Sequence, residues 1–219
     1  MPTPDAMINN LATFVAAAGA LGTACFGIVE GLKWTSLGEM GYARITGYLG
    51  TELLGALRIA YGPEYEKLLR AQYRQDSQTQ AGIAKTLRQG VRIGLNPENA
   101  AGISDFLGTV SAAALTHAAA SAAAGLDLTP TDRAAIGRFE LAADARIDSA
   151  LSSAKDRYLG GIRCTAALLA VAIAQSIAPI LGARWDMALV LGIVAVPFAP
   201  IANDLVSAIQ AATKALTAR

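Results

Sequence analysis

The residues of this chain that could do chemistry lie inside, or at the ends of, three long uncharged segments. Glu30 follows the first segment, Arg163 precedes the second, and Asp204 follows the third. Rings of carboxylates at a constriction attract cations and set charge selectivity in ion channels. As candidates for a pore lining or a helix interface the sequence offers Glu30, Arg163, Gln175, Ser176, Pro197, Pro200, Asn203 and Asp204.

A simpler interpretation of the same residues stays open. Ionisable groups at the ends of membrane helices are often solvated only because of where they lie. The Gln175 amide and the Ser176 hydroxyl need hydrogen-bond partners in hydrocarbon, and a neighbouring helix can supply them as well as a wet cavity can. Polarity alone therefore does not separate a pore lining from hydrogen bonding between helices.

Two prolines interrupt the last uncharged segment. Pro197 and Pro200 have no N–H, so a continuous helix would leave the carbonyls four residues earlier without their usual partners. Lipid offers such carbonyls no replacement, so they must meet water or another helix. We expect this helix to bend between the prolines and to face the interior of a bundle or oligomer, with Asn203 and Asp204 at its cytoplasmic mouth.

Signatures of enzymes and metal sites are absent from the sequence. It contains no GxSxG, no Walker-type glycine loop and no HExxH motif. Cys25 and Cys164 have no CxxC partner, and a zinc site needs three or four convergent ligands. His117, alone among alanines, is expected to be a buried histidine with a satisfied hydrogen bond. We therefore expect no catalytic residue, no metal and no cofactor.

The composition is typical of a membrane protein. Hydrophobic residues make up 53% of the chain and charged residues 16%, whereas soluble domains are roughly 25% charged. The mean hydropathy is +0.40. A formal net charge of +1, with acids and bases interspersed, argues against binding of nucleic acid, which needs a basic face. The expected partner for the apolar surplus is a lipid bilayer.

Three segments are long enough, or nearly so, to cross a bilayer. Residues 6–29 are free of charge over about 24 positions, and the segments 164–183 and 187–203 extend over 20 and 17 positions. The short polar turn "RWD" joins the last two, which predicts a helical hairpin. The sequence thus predicts an all-α integral membrane protein with about three transmembrane helices. A cleaved signal or a buried soluble helix is the alternative for the first segment.

Basic residues near the ends of these segments predict the orientation in the membrane. With three spans, the central region and the C-terminal tail lie on one side, and the N-terminus and the "RWD" turn lie on the other. The first side carries Lys33, Arg44, Arg146, Lys155, Arg157, Arg163, Lys214 and Arg219. The second side carries only Arg184 and the amino terminus. The positive-inside rule therefore places the N-terminus outside and the other side in the cytoplasm, at the cytoplasmic (inner) membrane.

The predicted domains are an N-terminal transmembrane helix in residues 1–33, a cytoplasmic helical region in 34–160, and a transmembrane hairpin with a short cytoplasmic tail in 161–219. In the central region, "NPEN" and "LTPTD" are helix start signals, with Asn96 and Thr129 as N-caps. Segment 106–126 is uncharged but rich in alanine, so we assign it to a buried helix and keep a fourth span as the alternative.

Along the helix that follows Thr129, apolar residues recur at steps of three and four and form one face. Its members are Ile136, Phe139, Ala143, Ile147, Ala150, Ala154 and Tyr158. No proline interrupts residues 131–178, so this helix is expected to continue into the second membrane span. The pair Gly160 and Gly161 is the expected place for a bend or break.

Two functions remain in competition, with an atypical enzyme at the membrane surface as a third. The first is an oligomeric channel or pore-forming protein whose cytoplasmic region gates or senses. Small residues on the first segment, Ala16, Ala20 and Ala24 on one face and Ala18 and Gly22 on another, indicate a homo-oligomer. The second is a membrane-anchored scaffold or assembly subunit that docks a protein partner through the stripe from Ile136 to Tyr158.

Overall fold

The computed structural model describes residues 4–32, 39–75, 80–180 and 182–197, with the backbone alone for residues 4–12 and for Glu30. It is 84% helical, and no strand occurs in the described ranges. The all-α prediction is confirmed. In chain order the helices are α1 (Pro4–Gly31), α2 (Tyr42–Tyr61), α3 (Tyr65–Gln75), α4 (Ala81–Ile93), α5 (Ala100–Leu107), α6 (Ala112–Ala123), α7 (Pro130–Ile177) and α8 (Trp185–Pro197).

The chain divides into two compact units. The apolar unit combines the described residues of Met1–Lys33 and Leu159–Arg219, and the central unit is Trp34–Tyr158. The sequence analysis placed the end of the central region after residue 160, which is two residues beyond Tyr158, the last residue of the central unit. The first and last segments of the chain, separate in the predicted domain list, thus belong to one unit.

Helix α2 supplies one wall of the core of the central unit. Ile45, Leu49, Leu53 and Leu57 follow one another at four-residue steps, and all four are fully buried. Complete burial of such a side chain stabilises a fold by about 1.5–3 kcal/mol. Gly50 interrupts the helix with a positive φ of 64°, and a side chain there would collide with the Phe106 ring.

The apolar face of α7 supplies the opposite wall of this core. Phe139, Ala143, Ile147 and Ala154 belong to the same buried cluster as the α2 leucines, and Ile136 at the start of the face is half-buried. The chain therefore covers the predicted stripe with its own helices. A partner protein cannot dock on this face without opening the core of the central unit.

Both predicted helix start signals form reciprocal hydrogen bonds, but only Thr129 directly precedes its helix, because α5 begins at Ala100 and its N-cap is Asn99, not Asn96 as predicted. The Asn99 N–H donates to the Asn96 side-chain oxygen at 2.9 Å, and the Asn96 N–H donates to the Asn99 side chain at 2.9 Å. At the start of α7, the Asp132 N–H donates to the Thr129 hydroxyl at 3.2 Å, and the Thr129 N–H donates to the Asp132 carboxylate at 3.1 Å. The Thr129–Asp132 pair is a capping box, which satisfies two backbone N–H groups at the start of α7, and the Asn96–Asn99 pair closes the turn before α5.

Segment 106–126 is not one long helix. Leu107 ends α5, and α6 within the segment has 12 residues, or about 18 Å, against a hydrocarbon core of about 30 Å. Leu115, Ala118 and Ala119 of α6 are buried in the chain. The segment therefore contains a partly buried helix, and α6 is too short to be a fourth span.

Helix α7 is unbroken over its 48 residues and passes through Gly160 and Gly161 as helix. The expected continuation into the second apolar segment is confirmed, and the expected break at the two glycines is absent. A glycine inside a helix is less favourable than an alanine by only about 1 kcal/mol. The hydrogen bonds of a helix as long as α7 outweigh this difference. At 1.5 Å per residue, α7 is about 72 Å long.

Candidate functional site

Helices α7 and α8 pack closely in the apolar unit. Gly192 of α8 lies against Val171 of α7, where an added Cβ would be 2.6 Å from the Val171 Cα. Ala174, Ala178 and Ala188 form a small buried cluster near Leu21 of α1. Small side chains allow apolar helices to approach one another closely, so these residues hold the hairpin together.

The two polar residues predicted inside the second segment find partners in their own chain. The Gln175 amide Nε2 donates to the carbonyl oxygen of Trp185 at 3.0 Å. The Ser176 hydroxyl donates to the carbonyl of Ala172, one turn earlier in α7, at 2.8 Å. Gln175 therefore pins the start of α8 to the end of α7, and neither side chain needs a water-filled pore to satisfy its hydrogen bonds.

The other predicted site residues are not brought together with these two. Arg163 is exposed on α7, and Pro197 is exposed at the last residue of α8. Glu30 lies in the last turn of α1, but its side chain falls outside the described residues, as do Pro200, Asn203 and Asp204. The predicted bend between the two prolines and the predicted acidic mouth therefore stay predictions.

The two small-residue faces of α1 differ in exposure. Ala18 and Gly22 are buried inside the apolar unit, together with Cys25 and Val29 one and two turns later. From Thr13 onward, where the side chains are described, the opposite face is exposed and consists mainly of small residues, although Ile28, 49% exposed, continues the row of Ala16, Ala20 and Ala24. Its small members are Thr13, Ala16, Ala20, Thr23, Ala24, Gly27 and Gly31.

Large apolar side chains are exposed on the other helices of the apolar unit. On α8 the exposed fractions reach 71% for Trp185, 60% for Met187 and 57% for Ile193. On α7 Leu168 is 68% exposed. Large exposed apolar surfaces are rare on soluble monomers.

An apolar cavity of about 300 Å³ lies among the three helices of this unit. It is lined by Phe14, Leu21, Ile173, Ala174, Ile177, Ala178, Ala183, Met187, Ala188 and Leu191. No polar side chain lines it, and cavities of this kind stay dry. The cavity suits hydrocarbon and does not suit the passage of an ion.

A seam of ion pairs joins α4 to α7 in the central unit, and sequence reasoning missed it. Arg88 pairs with Asp144 at 3.5 Å and also with Asp148, and Arg92 pairs with Glu140 at 3.2 Å. The two arginines are four residues apart on α4, and the three acids follow one another at four-residue steps on α7. This matched helical spacing is the signal in the sequence that could have predicted the seam. The partners are a third or more exposed, so each pair contributes at most about 1 kcal/mol.

His117 differs from its prediction. Its side chain is 68% exposed, so the expectation of burial is wrong, but it does have a partner: Nδ1 lies 2.8 Å from Oδ1 of Asp132. Asp132 itself is buried. Hydrogen bonds from Thr129, and next from His117, hold the pKa of the Asp132 carboxyl below its usual value. The pair joins α6 to the start of α7.

Two tyrosines of the central unit are buried together near the start of α2. The ring centroids of Tyr42 and Tyr73 are 6.1 Å apart, and the Tyr73 hydroxyl donates to the Ala154 carbonyl at 3.3 Å. Burial raises the pKa of each tyrosine to about 12, and the nearby Glu66 carboxylate adds to the shift of Tyr42. Both phenols are therefore neutral at physiological pH, and their role is packing.

The parts of the chain that the structure describes hold no group of three His, Cys, Asp or Glu side chains placed to bind a metal ion. Cys25 is a buried free thiol and Cys164 an exposed one. No protein-family model, curated protein or solved structure matches the chain.

Among the described residues, one helix is long and apolar enough to cross a membrane, and it is α7. Of the most apolar 18-residue window of α7, 22% is buried inside the chain. The apolar stretches Thr13–Val29 of α1 and Trp185–Pro197 of α8 are shorter, and α8 ends at the limit of the described residues.

Proposed function

We propose that the apolar unit is embedded in a lipid bilayer and that α1, the second half of α7, and α8 are its three spans. The core helix of a soluble domain is mostly buried, whereas only 22% of the apolar window of α7 is buried inside the chain. Large uncharged side chains, such as Leu168 of α7 and Ile28 of α1, are also exposed in the apolar unit. Lipid covers such a surface at no cost in hydration, and this supports the three-span prediction.

The proposed orientation places the central unit in the cytoplasm. Arg184 and Asp186 in the turn before α8 bond to each other at 2.8 Å, which neutralises the turn. The basic residues near the opposite ends of the spans belong to the central region and to the tail. By the positive-inside rule the N-terminus and the turn are then outside.

The exposed small-residue face of α1 supports self-association in the membrane. Lipid-facing positions favour large apolar side chains, whereas this face consists of alanine, threonine and glycine apart from Ile28. Small residues at four-residue spacing, such as Ala16, Ala20 and Ala24, let a second helix approach closely. We propose that this face contacts a second copy of the chain in a homo-oligomer.

The function that these features support best is that of a channel or pore-forming protein with a cytoplasmic gating or sensing unit. One observation carries this proposal: α7 is a single helix from the core of the central unit to the end of its apolar segment. A rigid helix transmits a displacement that a flexible linker would absorb. In the oligomer, α8 lines the axis, where Val190 and Ile193 form an apolar constriction that closes by dewetting.

Ion flux through reconstituted liposomes tests the channel. Purified chain in vesicles loaded with a potassium-sensitive dye is expected to pass ions, and vesicles prepared in parallel without protein serve as the baseline. A folded, membrane-inserted oligomer that leaves the vesicles sealed under every membrane potential applied would contradict the proposal.

A further inference from the structure

We propose that a basic cavity in the central unit binds a phosphate group, which the headgroup of an anionic phospholipid supplies. The cavity has a volume of about 560 Å³ and is lined by Met40, Ala43, Arg44, Gly47, Tyr48 and Arg157. The phosphate chemistry rests on this lining alone. The choice of a lipid as its source rests on the membrane location proposed above.

The charges of the lining are unbalanced. Arg44 of α2 and Arg157 of α7 bring two guanidinium groups to the cavity, and none of its lining residues is acidic. Within the described residues neither arginine forms an ion pair, whereas Arg88 and Arg92 of the seam both have carboxylate partners. Guanidinium groups bind phosphate oxygens through paired, charge-assisted hydrogen bonds, so these two are available for an anion.

The nearest acid along the chain from Met40 is already engaged. The Glu39 carboxylate pairs with Arg74 and, at 3.4 Å, with Arg70. Asp156 precedes Arg157 on α7, but it is not among the residues that line the cavity. An anion in the cavity therefore competes with no carboxylate of the lining.

The walls of the cavity are held in place. Arg146 Nε donates to the Tyr48 carbonyl at 2.7 Å, and its guanidinium lies over the Tyr48 and Phe106 rings at 5.7 and 4.9 Å from their centroids. These contacts fix Tyr48 and bring a third positive charge near the cavity. The space beside Gly47 is empty, since a Cβ there would meet no atom within 4 Å.

The position of Arg157 along α7 favours a lipid over a free phosphate. Arg157 lies seven residues before Cys164, the first residue of the uncharged segment, which is about 10 Å along the helix axis. The headgroup layer is about 5–8 Å thick on each side of the hydrocarbon. A long arginine side chain reaches this layer, and basic pockets on the cytoplasmic side of a membrane bind anionic headgroups.

The test compares soluble short-chain lipids on the full chain in detergent. Binding of dihexanoyl phosphatidic acid is measured by titration, against dihexanoyl phosphatidylcholine and inorganic phosphate. We expect phosphatidic acid to bind more tightly than either. We expect R44A and R157A each to weaken its binding about tenfold or more, which corresponds to the loss of a hydrogen bond to a charged group. The variant G47L, which fills the cavity, should abolish binding.

Control variants keep the test decisive. R138A removes an exposed arginine from the same helix, about 28 Å before Arg157, and should bind phosphatidic acid as the wild type does. If R138A and R157A change the affinity for phosphatidic acid to the same extent, the proposed site is wrong. If inorganic phosphate binds as tightly as phosphatidic acid, the phosphate does not come from a lipid. Circular dichroism checks that each variant is folded.

Failure of the membrane proposal is detected separately. If alkaline carbonate extracts the chain from membranes, the membrane location is wrong, while the titration still reports on the phosphate site.

Discussion

Gly192 lies so close to Val171 that a Cβ at residue 192 would be 2.6 Å from the Val171 Cα. The α7–α8 hairpin therefore depends on a position without a side chain. Replacing Gly192 with valine forces the helices apart or the side chain off its rotamer, which typically costs about 1–3 kcal/mol. We expect G192V to lower the thermal stability of the purified protein, followed through the fluorescence of Trp185 at the start of α8. V190L, at a position that is 48% exposed on the same helix, is the control, and equal stability of the two variants would contradict the packing.

The continuity of α7 gives a prediction about gating. Proline at residue 160 removes a helical hydrogen bond and collides with the preceding turn, at about 3 kcal/mol or more. Alanine at the same position meets no atom within 4 Å and favours helix over glycine by about 1 kcal/mol. We expect G160P to change the open probability in single-channel recordings and G160A to preserve the wild-type behaviour. If the two variants have the same open probability, α7 does not transmit a gating displacement.

The Asp132 cap makes the stability of the chain depend on pH in the acid range. Its pKa is lower in the folded chain than its usual value of 3.8, because Thr129 and His117 donate to the ionised carboxylate. The resulting stabilisation is complete above the usual pKa and is lost as the pH falls through the folded value. Between pH 6 and pH 3, D132N should therefore lose less thermal stability than the wild type. The control D127N alters an exposed aspartate and should lose as much thermal stability between pH 6 and pH 3 as the wild type does. If D132N loses as much as the wild type, the account of the cap is wrong.

The small-residue face of α1 gives a prediction about assembly. A leucine in place of Ala20 would stand between two closely approaching helices. We expect A20L to shift the purified protein toward smaller oligomers, as measured by light scattering in detergent. The control L168M replaces an exposed leucine of α7 with a side chain of similar volume. It should leave the oligomer intact. An A20L oligomer of wild-type mass would exclude this face as the interface.

Local signals in the sequence were sufficient for much of the helical architecture. The cap at Thr129 depends on Asp132, three positions later, so the sequence contains the whole interaction. The apolar residues of α7 recur at helical spacing and so form one face. Such a face becomes buried when any other helix packs against it.

Features that depend on tertiary contacts could not be predicted in the same way. His117 was expected to be buried because its neighbours are alanines, but Leu115 and Ala118 occupy the inner face of α6 and leave the imidazole outside. Which small-residue face of α1 is buried depends on where α7 and α8 pack. The basic cavity joins Arg44 to Arg157, more than a hundred residues apart, through a fold that no local pattern specifies.

A structure of the assembled protein in lipid nanodiscs, viewed along the membrane normal by electron cryomicroscopy, tests the central claim most directly. The channel proposal predicts a ring of copies that contact one another through α1 and surround an axial opening lined by α8, with α8 bent between Pro197 and Pro200. A monomer, or a ring with a sealed axis and a straight α8 whose prolines face lipid, would contradict it.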